Sequence, residues 1–105
     1  MELKKLLRDW IRDRAPGYLV DLDKRALSAY GMKFLDLFLS SPSKAYKLLV
    51  EKYGSEETAD FAMLTLILAP IAYKAGFVGL EEELLEIIKR GDDEAFFKKL
   101  EEYLS

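Results

Sequence analysis

The longest apolar stretch of the chain lies in residues 55–76, where the thirteen residues from Phe61 to Tyr73 carry no charge. A helix that is apolar on every side is normally buried, because none of its faces gains by contact with water. Thirteen residues at ~1.5 Å each span about 20 Å, which is short of the ~30 Å hydrocarbon core of a bilayer. We therefore predict a central, largely buried helix over residues 55–76, and no membrane span.

Pro70 stands inside this helix. Proline has no N–H group and clashes with the carbonyl four residues earlier, here that of Leu66, so the helix is expected to be kinked near Pro70. Two interpretations remain open. The kink bends the helix around a small core, or it exposes the freed carbonyl of Leu66 or Ala69 to a pocket.

Small residues recur in the same helix at a 3–4–3–4 spacing, which places them along one side. With Pro70, they form a candidate stripe for close contact with another helix, in the same chain or a second copy, or for one wall of a pocket for an apolar ligand. The members of this stripe are Ala62, Thr65, Ala69, Pro70 and Ala72.

The rest of the chain also shows helical periodicity, and no segment has the strict alternation of a strand. Gly31 leaves open whether residues 18–41 form one helix or two. Ser41, Ser55 and Asp92 are placed to cap helices, and Asp21 or Asp23 is placed to cap the helix that starts near Tyr18. The sequence predicts an all-α protein, a compact bundle of about six helices that forms a single domain over residues 1–105.

Four residue types are missing: the chain has no Cys, His, Asn or Gln, while Lys and Glu are plentiful. Without Cys and His there is no disulfide framework, no thiolate or imidazole metal site, and no histidine general base. Avoidance of amides and thiols is typical of hyperthermophile proteins, so we expect a thermophilic, archaeal source. Residues 1–14 lack the continuous apolar region of a signal peptide, which makes the cytoplasm the expected location.

The acidic clusters at residues 81–83 and 92–94 lie in the first turns of helices, where carboxylates stabilise the helix dipole. The serine hydroxyls have no histidine to activate them, and the six glycines stand singly, without a phosphate-binding loop. We therefore predict a non-catalytic protein without cofactor or metal.

Charge is divided unevenly between the two halves of the chain. Residues 1–54 carry 11 Lys and Arg against 7 Asp and Glu, whereas residues 55–105 carry 5 against 12. Such asymmetry indicates a charged partner, or halves that neutralise each other on packing. The candidate contact residues for a partner or for nucleic acid are Lys4, Lys5, Arg8, Arg12, Lys24 and Arg25.

Two functional hypotheses follow. The favoured one is a helical protein-interaction module, a subunit, adaptor or regulatory domain that binds a protein partner or a second copy of itself. Its support is the large number of aromatic residues, of which Tyr18, Tyr46 and Tyr53 are not all expected inside so small a core. The alternative is binding of nucleic-acid phosphates through the basic stripe of the first helix, although the overall charge of −3 opposes it.

Overall fold

Seven helices form residues 3–104, the part of the chain that the computed structural model describes. They are α1 Leu3–Arg14, α2 Tyr18–Tyr30, α3 Phe34–Ser40, α4 Pro42–Tyr53, α5 Glu56–Ala75, α6 Leu80–Lys89 and α7 Asp93–Leu104. These residues contain no strand, which confirms the all-α prediction. The count exceeds six because residues 18–41 divide into two helices at Gly31, whose φ of 75° ends α2 in the left-handed conformation.

Three of the predicted caps are present. The side chains of Ser41, Ser55 and Asp92 each accept a hydrogen bond from the backbone N–H three residues further on, at 3.4, 3.3 and 3.0 Å. These bonds satisfy N–H groups that have no partner within the helix.

The predicted cap of α2 is wrong. Gly17 occupies its N-cap position and supplies no side chain. Asp23 caps the next helix instead, since its Oδ1 accepts the backbone N–H of Phe34 at 2.9 Å at the start of α3.

One row of α5 lies in the core. Ala59, Met63, Ile67 and Ile71 follow one another at four-residue spacing, and each is no more than 1% exposed. In a regular α-helix, residues four apart drift by about 40° per step, so this row would rotate by about 120° over three steps. A correction to the helix is therefore needed to keep all four residues in the core.

A π-helical segment over Met63–Leu68 supplies that correction. Its bonds close over five residues instead of four, so each turn holds more residues and the four-residue row falls back into line. The irregularity predicted near Pro70 thus lies one turn before it. Pro70 itself stands at the start of the α-helical segment Ala69–Ala75, where a missing N–H is tolerated.

Burial of α5 is limited to one side. Along the opposite row, Phe61 is 69% exposed and Tyr73 is 81% exposed. By length and composition alone, the 20 residues of α5 could cross a membrane. In the structure, this helix contacts α1, α4, α6 and α7.

Of the three tyrosines that were not all expected inside the core, one is buried and two are partly buried. Tyr46 is 7% exposed, and Tyr18 and Tyr53 pack against the core with their hydroxyl groups hydrogen-bonded to each other. Burial, followed by the bond to Tyr53, raises the pKa of Tyr18. The aromatic residues left at the surface are instead Phe61, Tyr73 and Phe77.

Candidate functional sites: an apolar groove and a basic cleft

An open groove of about 430 Å³ lies between α1, the C-terminal half of α5 and the start of α6. We call it the apolar groove, because all but one of its lining residues are apolar, aromatic or glycine. Its lining consists of Trp10, Ala69, Ala72, Tyr73, Gly76, Phe77, Val78 and Glu81.

The apolar residues of this groove are unusually open to solvent. Val78 is 99% exposed, at the tip of the turn between α5 and α6, and Phe77 beside it is 40% exposed. The Phe77 ring packs against Tyr103 of α7, with 4.9 Å between ring centroids, so its position is fixed from behind. Together with Tyr73, these side chains form a contiguous apolar surface of the kind that marks interaction sites.

Trp10 is held in the groove by contacts at both of its ends. Its indole Nε1 donates a hydrogen bond of 3.1 Å to the backbone carbonyl of Thr65. The guanidinium carbon of Arg14, one turn further along α1, lies 3.3 Å from the centre of the Trp10 ring, and its Nη1 donates to the Trp10 carbonyl. This cation–π contact places a positive charge at the α1 side of the groove.

The carbonyl that Trp10 binds is free because of Pro70. In the π-helical segment, the N–H of Ala69 donates to Leu64, five residues earlier. By the same pattern, the carbonyl of Thr65 would receive the N–H of residue 70, but proline has none. The carbonyl of Thr65, which the sequence did not single out, is therefore left without the N–H of residue 70, and the indole of Trp10 satisfies it.

Glu81 lies at the opposite side of the groove, in the first turn of α6. Its carboxylate oxygen Oε1 is shielded from solvent and has no hydrogen-bond partner among residues 3–104. A buried acceptor without a partner costs about 1–3 kcal/mol, so it requires an explanation.

The predicted small-residue stripe is divided by the π-helical segment. Ala62 and Ala72 are buried, Thr65 is exposed, and Ala69 is half-buried. Ala69 and Ala72 line the apolar groove, whereas Ala62, Thr65 and Pro70 do not. The polar groups expected in an apolar-ligand pocket are also engaged, since Thr65 donates its hydroxyl to Phe61 and its carbonyl is bound by Trp10.

A second, smaller cavity of about 230 Å³ lies among α1, α2 and the start of α3. We call it the basic cleft. Its charged lining residues are Lys4, Arg8, Arg12, Lys33 and Asp23. Ile11, Leu19, Val20 and Leu35 supply apolar walls.

The structure separates the six basic residues that the sequence grouped together. Lys4, Arg8 and Arg12, at i, i+4 and i+8 of α1, line the basic cleft. Lys5 points elsewhere and pairs with Asp9 at 2.8 Å.

The remaining two basic residues of that set, Lys24 and Arg25, lie on another surface, beside Asp21 and Glu51. There, Asp21 binds both Arg25, at 3.2 Å, and Lys52, at 2.5 Å. The continuous basic surface that nucleic-acid binding would use is therefore interrupted by carboxylates.

Within the basic cleft, the cations differ in their pairing. Lys4 binds Asp36 at 2.7 Å, whereas Arg8, Arg12 and Lys33 form no ion pair with a carboxylate of residues 3–104. The hydrogen bond from Lys5, with the charges of Arg8 and Arg12 in support, holds the pKa of Asp9 below its usual value.

A third group of polar residues joins α4, α5 and α6. Asp60 accepts a hydrogen bond from the Tyr46 hydroxyl at 2.5 Å and one from Lys89 at 2.8 Å. Burial, followed by this bond, raises the pKa of Tyr46, and the bond to Asp60 raises the pKa of Lys89. Both shifts favour the protonated form, so neither residue is activated as a base or nucleophile.

No group of three acidic side chains in residues 3–104 is arranged to hold a metal ion. Comparisons with known protein families, curated proteins and solved structures found no match. The apolar groove and the basic cleft, with their charges, are the features of the molecule that bear on its function.

Sequence reasoning missed the residues that define the apolar groove. Trp10 fits the apolar side of α1, and nothing in the local pattern separates it from the core residues Leu7 and Ile11. Glu81 is one of three consecutive glutamates, and only the fold distinguishes it. The single available signal was the apolar connector 77–79, where Val78 lies between two residues of a turn and lacks a helix to bury it.

Proposed function

We propose that this protein is a small, non-catalytic helical interaction module that pairs with a second copy of itself through the apolar groove. The observation that carries the proposal is the exposure of Tyr73, Phe77 and Val78 around a fixed indole ring. Large aromatic side chains that cluster at a surface are the usual anchors of protein interfaces.

The apolar groove offers these anchors at a low entropic cost. Trp10 is hydrogen-bonded and stacked, and Phe77 is packed on Tyr103. Because these rings are already ordered, association loses less side-chain freedom than it would with mobile residues.

Charge favours a second copy as the partner. Arg14 lies on the α1 side of the groove and Glu81 on the α6 side, and the two form no ion pair within the chain. A two-fold symmetric pair brings the same surface of both protomers together in opposite directions. It would therefore set Arg14 of each protomer against Glu81 of the other.

The guanidinium group of Arg14 carries five N–H donors, and it suits a partly buried carboxylate because it binds in a bidentate geometry. We take the pair to act in the cytoplasm of a thermophilic archaeal cell, as the composition predicts.

The test is a charge reversal at either end of the proposed contact. Arg14→Glu alone sets two carboxylates against each other, and Glu81→Arg alone sets two guanidinium groups against each other. Each variant should be monomeric in sedimentation equilibrium at concentrations where the wild-type chain is dimeric. An equimolar mixture of the two variants should form a heterodimer, because both contacts then join opposite charges.

Mixing distinguishes a lost contact from a folding defect, since an unfolded variant cannot be rescued by another variant. Arg90→Glu, an equal charge change at the far end of α6, is the matched control and should remain dimeric. A wild-type chain that stays monomeric at all concentrations, or single variants that dimerise as well as wild type, would refute the proposal.

A further inference from the structure

We propose that the basic cleft is a binding site for a phosphate monoester that carries a small apolar group. The cleft lies apart from the apolar groove. Arg8 and Arg12 are each two positions from Trp10 on α1, which places them about 200° around the helix from it. The inference is therefore independent of the pairing proposed above.

The charge balance of the cleft selects the ligand. Lys4 is neutralised by Asp36 and Lys5 by Asp9. Arg8, Arg12 and Lys33 remain, opposed by Asp23 alone, which leaves a net charge of +2. A phosphate monoester carries a charge of about −1.5 to −2 at pH 7, so it balances the cleft, whereas a carboxylate or phosphodiester supplies only one negative charge.

The start of α2 adds uncharged donors to these cations. Gly17 provides no side-chain cap, and the N–H groups of Leu19 and Val20 have no acceptor among residues 3–104. Both residues line the cleft. Free N–H groups at the positive end of a helix bind phosphate oxygens, and here they lie beside two arginine side chains.

The walls of the cleft favour an apolar group on the phosphate ester. Val20 lines the cleft and is 61% exposed, whereas Leu22 and Ala26 of the same helix are buried. A volume of about 230 Å³ suits a small ring more than an extended polymer. Contact with Val20, Leu19 and Leu35 would remove that ring from water.

The experiment is a titration followed by ¹H–¹⁵N NMR, with phenyl phosphate, phenyl sulfate and inorganic phosphate as probes. Phenyl phosphate should bind most tightly and shift the amide signals of Leu19 and Val20. Phenyl sulfate has the same ring but one charge, and inorganic phosphate has the charge but no ring, so each should bind several-fold more weakly. Arg8→Gln and Arg12→Gln should each weaken phenyl phosphate by about tenfold.

Lys98→Gln is the matched control, because it removes one positive charge from an exposed residue of α7 outside the cleft, and its affinity should match that of wild type. The proposal is overturned if phenyl phosphate shows no saturable binding at millimolar concentration, if phenyl sulfate binds equally well, or if Lys98→Gln weakens binding as much as the arginine variants do. Tighter binding of an oligonucleotide without a terminal phosphate would also overturn it, in favour of an extended polyanion surface.

Discussion

The two halves of α5 differ in how their polar groups are partnered. In the first half, Asp60 is tied to Tyr46 and Lys89, and Ser55 caps the helix, so each of these polar groups has a partner within the chain. The second half, from Met63 onward, begins with the π-helical segment, Pro70 removes a donor, and Tyr73 projects into solvent.

The first half of α5 contributes mainly contacts within the chain, and the second half contributes the surface proposed for a partner. Polar side chains join the first half to α4 and α6, and its exposed aromatic residue, Phe61, does not line the apolar groove. The second half is joined to α1 by the hydrogen bond from Trp10 to Thr65, and it presents Ala69, Ala72 and Tyr73 to the apolar groove. We therefore expect substitutions in the first half to change the stability of the monomer, and substitutions in the second half to change association.

The largest effect is expected from Tyr46→Phe. It removes a hydrogen bond to a carboxylate at 2.5 Å from a side chain that is 7% exposed. Because bonds to charged groups contribute about 1.5–3 kcal/mol, the free energy of unfolding should fall by about 2 kcal/mol in urea denaturation. Tyr73→Phe, the same change at the exposed tyrosine of the second half, is the control and should cost less than about 0.5 kcal/mol. Equal costs at the two positions would contradict the comparison.

The stability of Tyr46→Phe should also differ from that of wild type in its dependence on pH above 9. In the folded protein, burial and then the bond to Asp60 raise the pKa of Tyr46 above the ordinary tyrosine value of about 10. Its contribution is therefore complete below pH 10 and is lost as the pH rises further, because the hydroxyl then ionises in the unfolded chain first. Between pH 9 and about 11, the wild-type chain should lose stability more steeply than Tyr46→Phe. Parallel curves would show that the bond does not govern this titration.

A smaller effect is expected where Trp10 meets the π-helical segment. Trp10→Phe keeps a ring in the groove but removes the donor to Thr65, at a cost of about 1 kcal/mol in the dilute monomer. Pro70→Ala gives residue 70 an N–H at the position from which it can bind the same carbonyl. The two substitutions should therefore be coupled, and Trp10→Phe should cost about 0.5–1 kcal/mol less in the Pro70→Ala background. Additive costs would mean that Pro70 does not create the acceptor.

The smallest effect on folding is expected at Val78. Its side chain is 99% exposed, so Val78→Ser should change the free energy of unfolding of the monomer by less than about 0.5 kcal/mol. In sedimentation equilibrium, the same variant should dimerise several-fold more weakly, because Val78 lines the apolar groove. A large loss of monomer stability without a change in association would show that the apolar groove stabilises the monomer and does not serve as an interface.

Local signals in the sequence predicted the fold well. Ser41, Ser55 and Asp92 cap helices as expected, because an N-cap depends on residues only three apart. Asp23 was assigned to the wrong helix, since its partner, Phe34, lies eleven residues away.

The sites depended on longer-range geometry. The i, i+4 spacing correctly placed Arg8 and Arg12 together, but their third cation, Lys33, comes from the connection before α3 and has no local signal. The π-helical segment was also missed, because hydrophobic periodicity at 100° per residue assumes a regular α-helix throughout. That assumption produced the small-residue stripe, and the extra turn width at Met63–Leu68 divided it.

The π-helical segment should allow α5 to lose one residue without losing its place in the bundle. Relative to a continuous α-helix, a single π turn accommodates about one additional residue. Deleting one residue within Met63–Leu68 would therefore remove a bulge and restore regular winding, where a deletion in another helix would break it. The part of α5 beyond the deletion would keep its direction, because eleven residues of regular α-helix make about three whole turns between Ala59 and Ile71. In relatives of this protein, a one-residue gap in the middle of the longest helix would thus mark chains that have lost the π turn while keeping both the bundle and the exposed Tyr73.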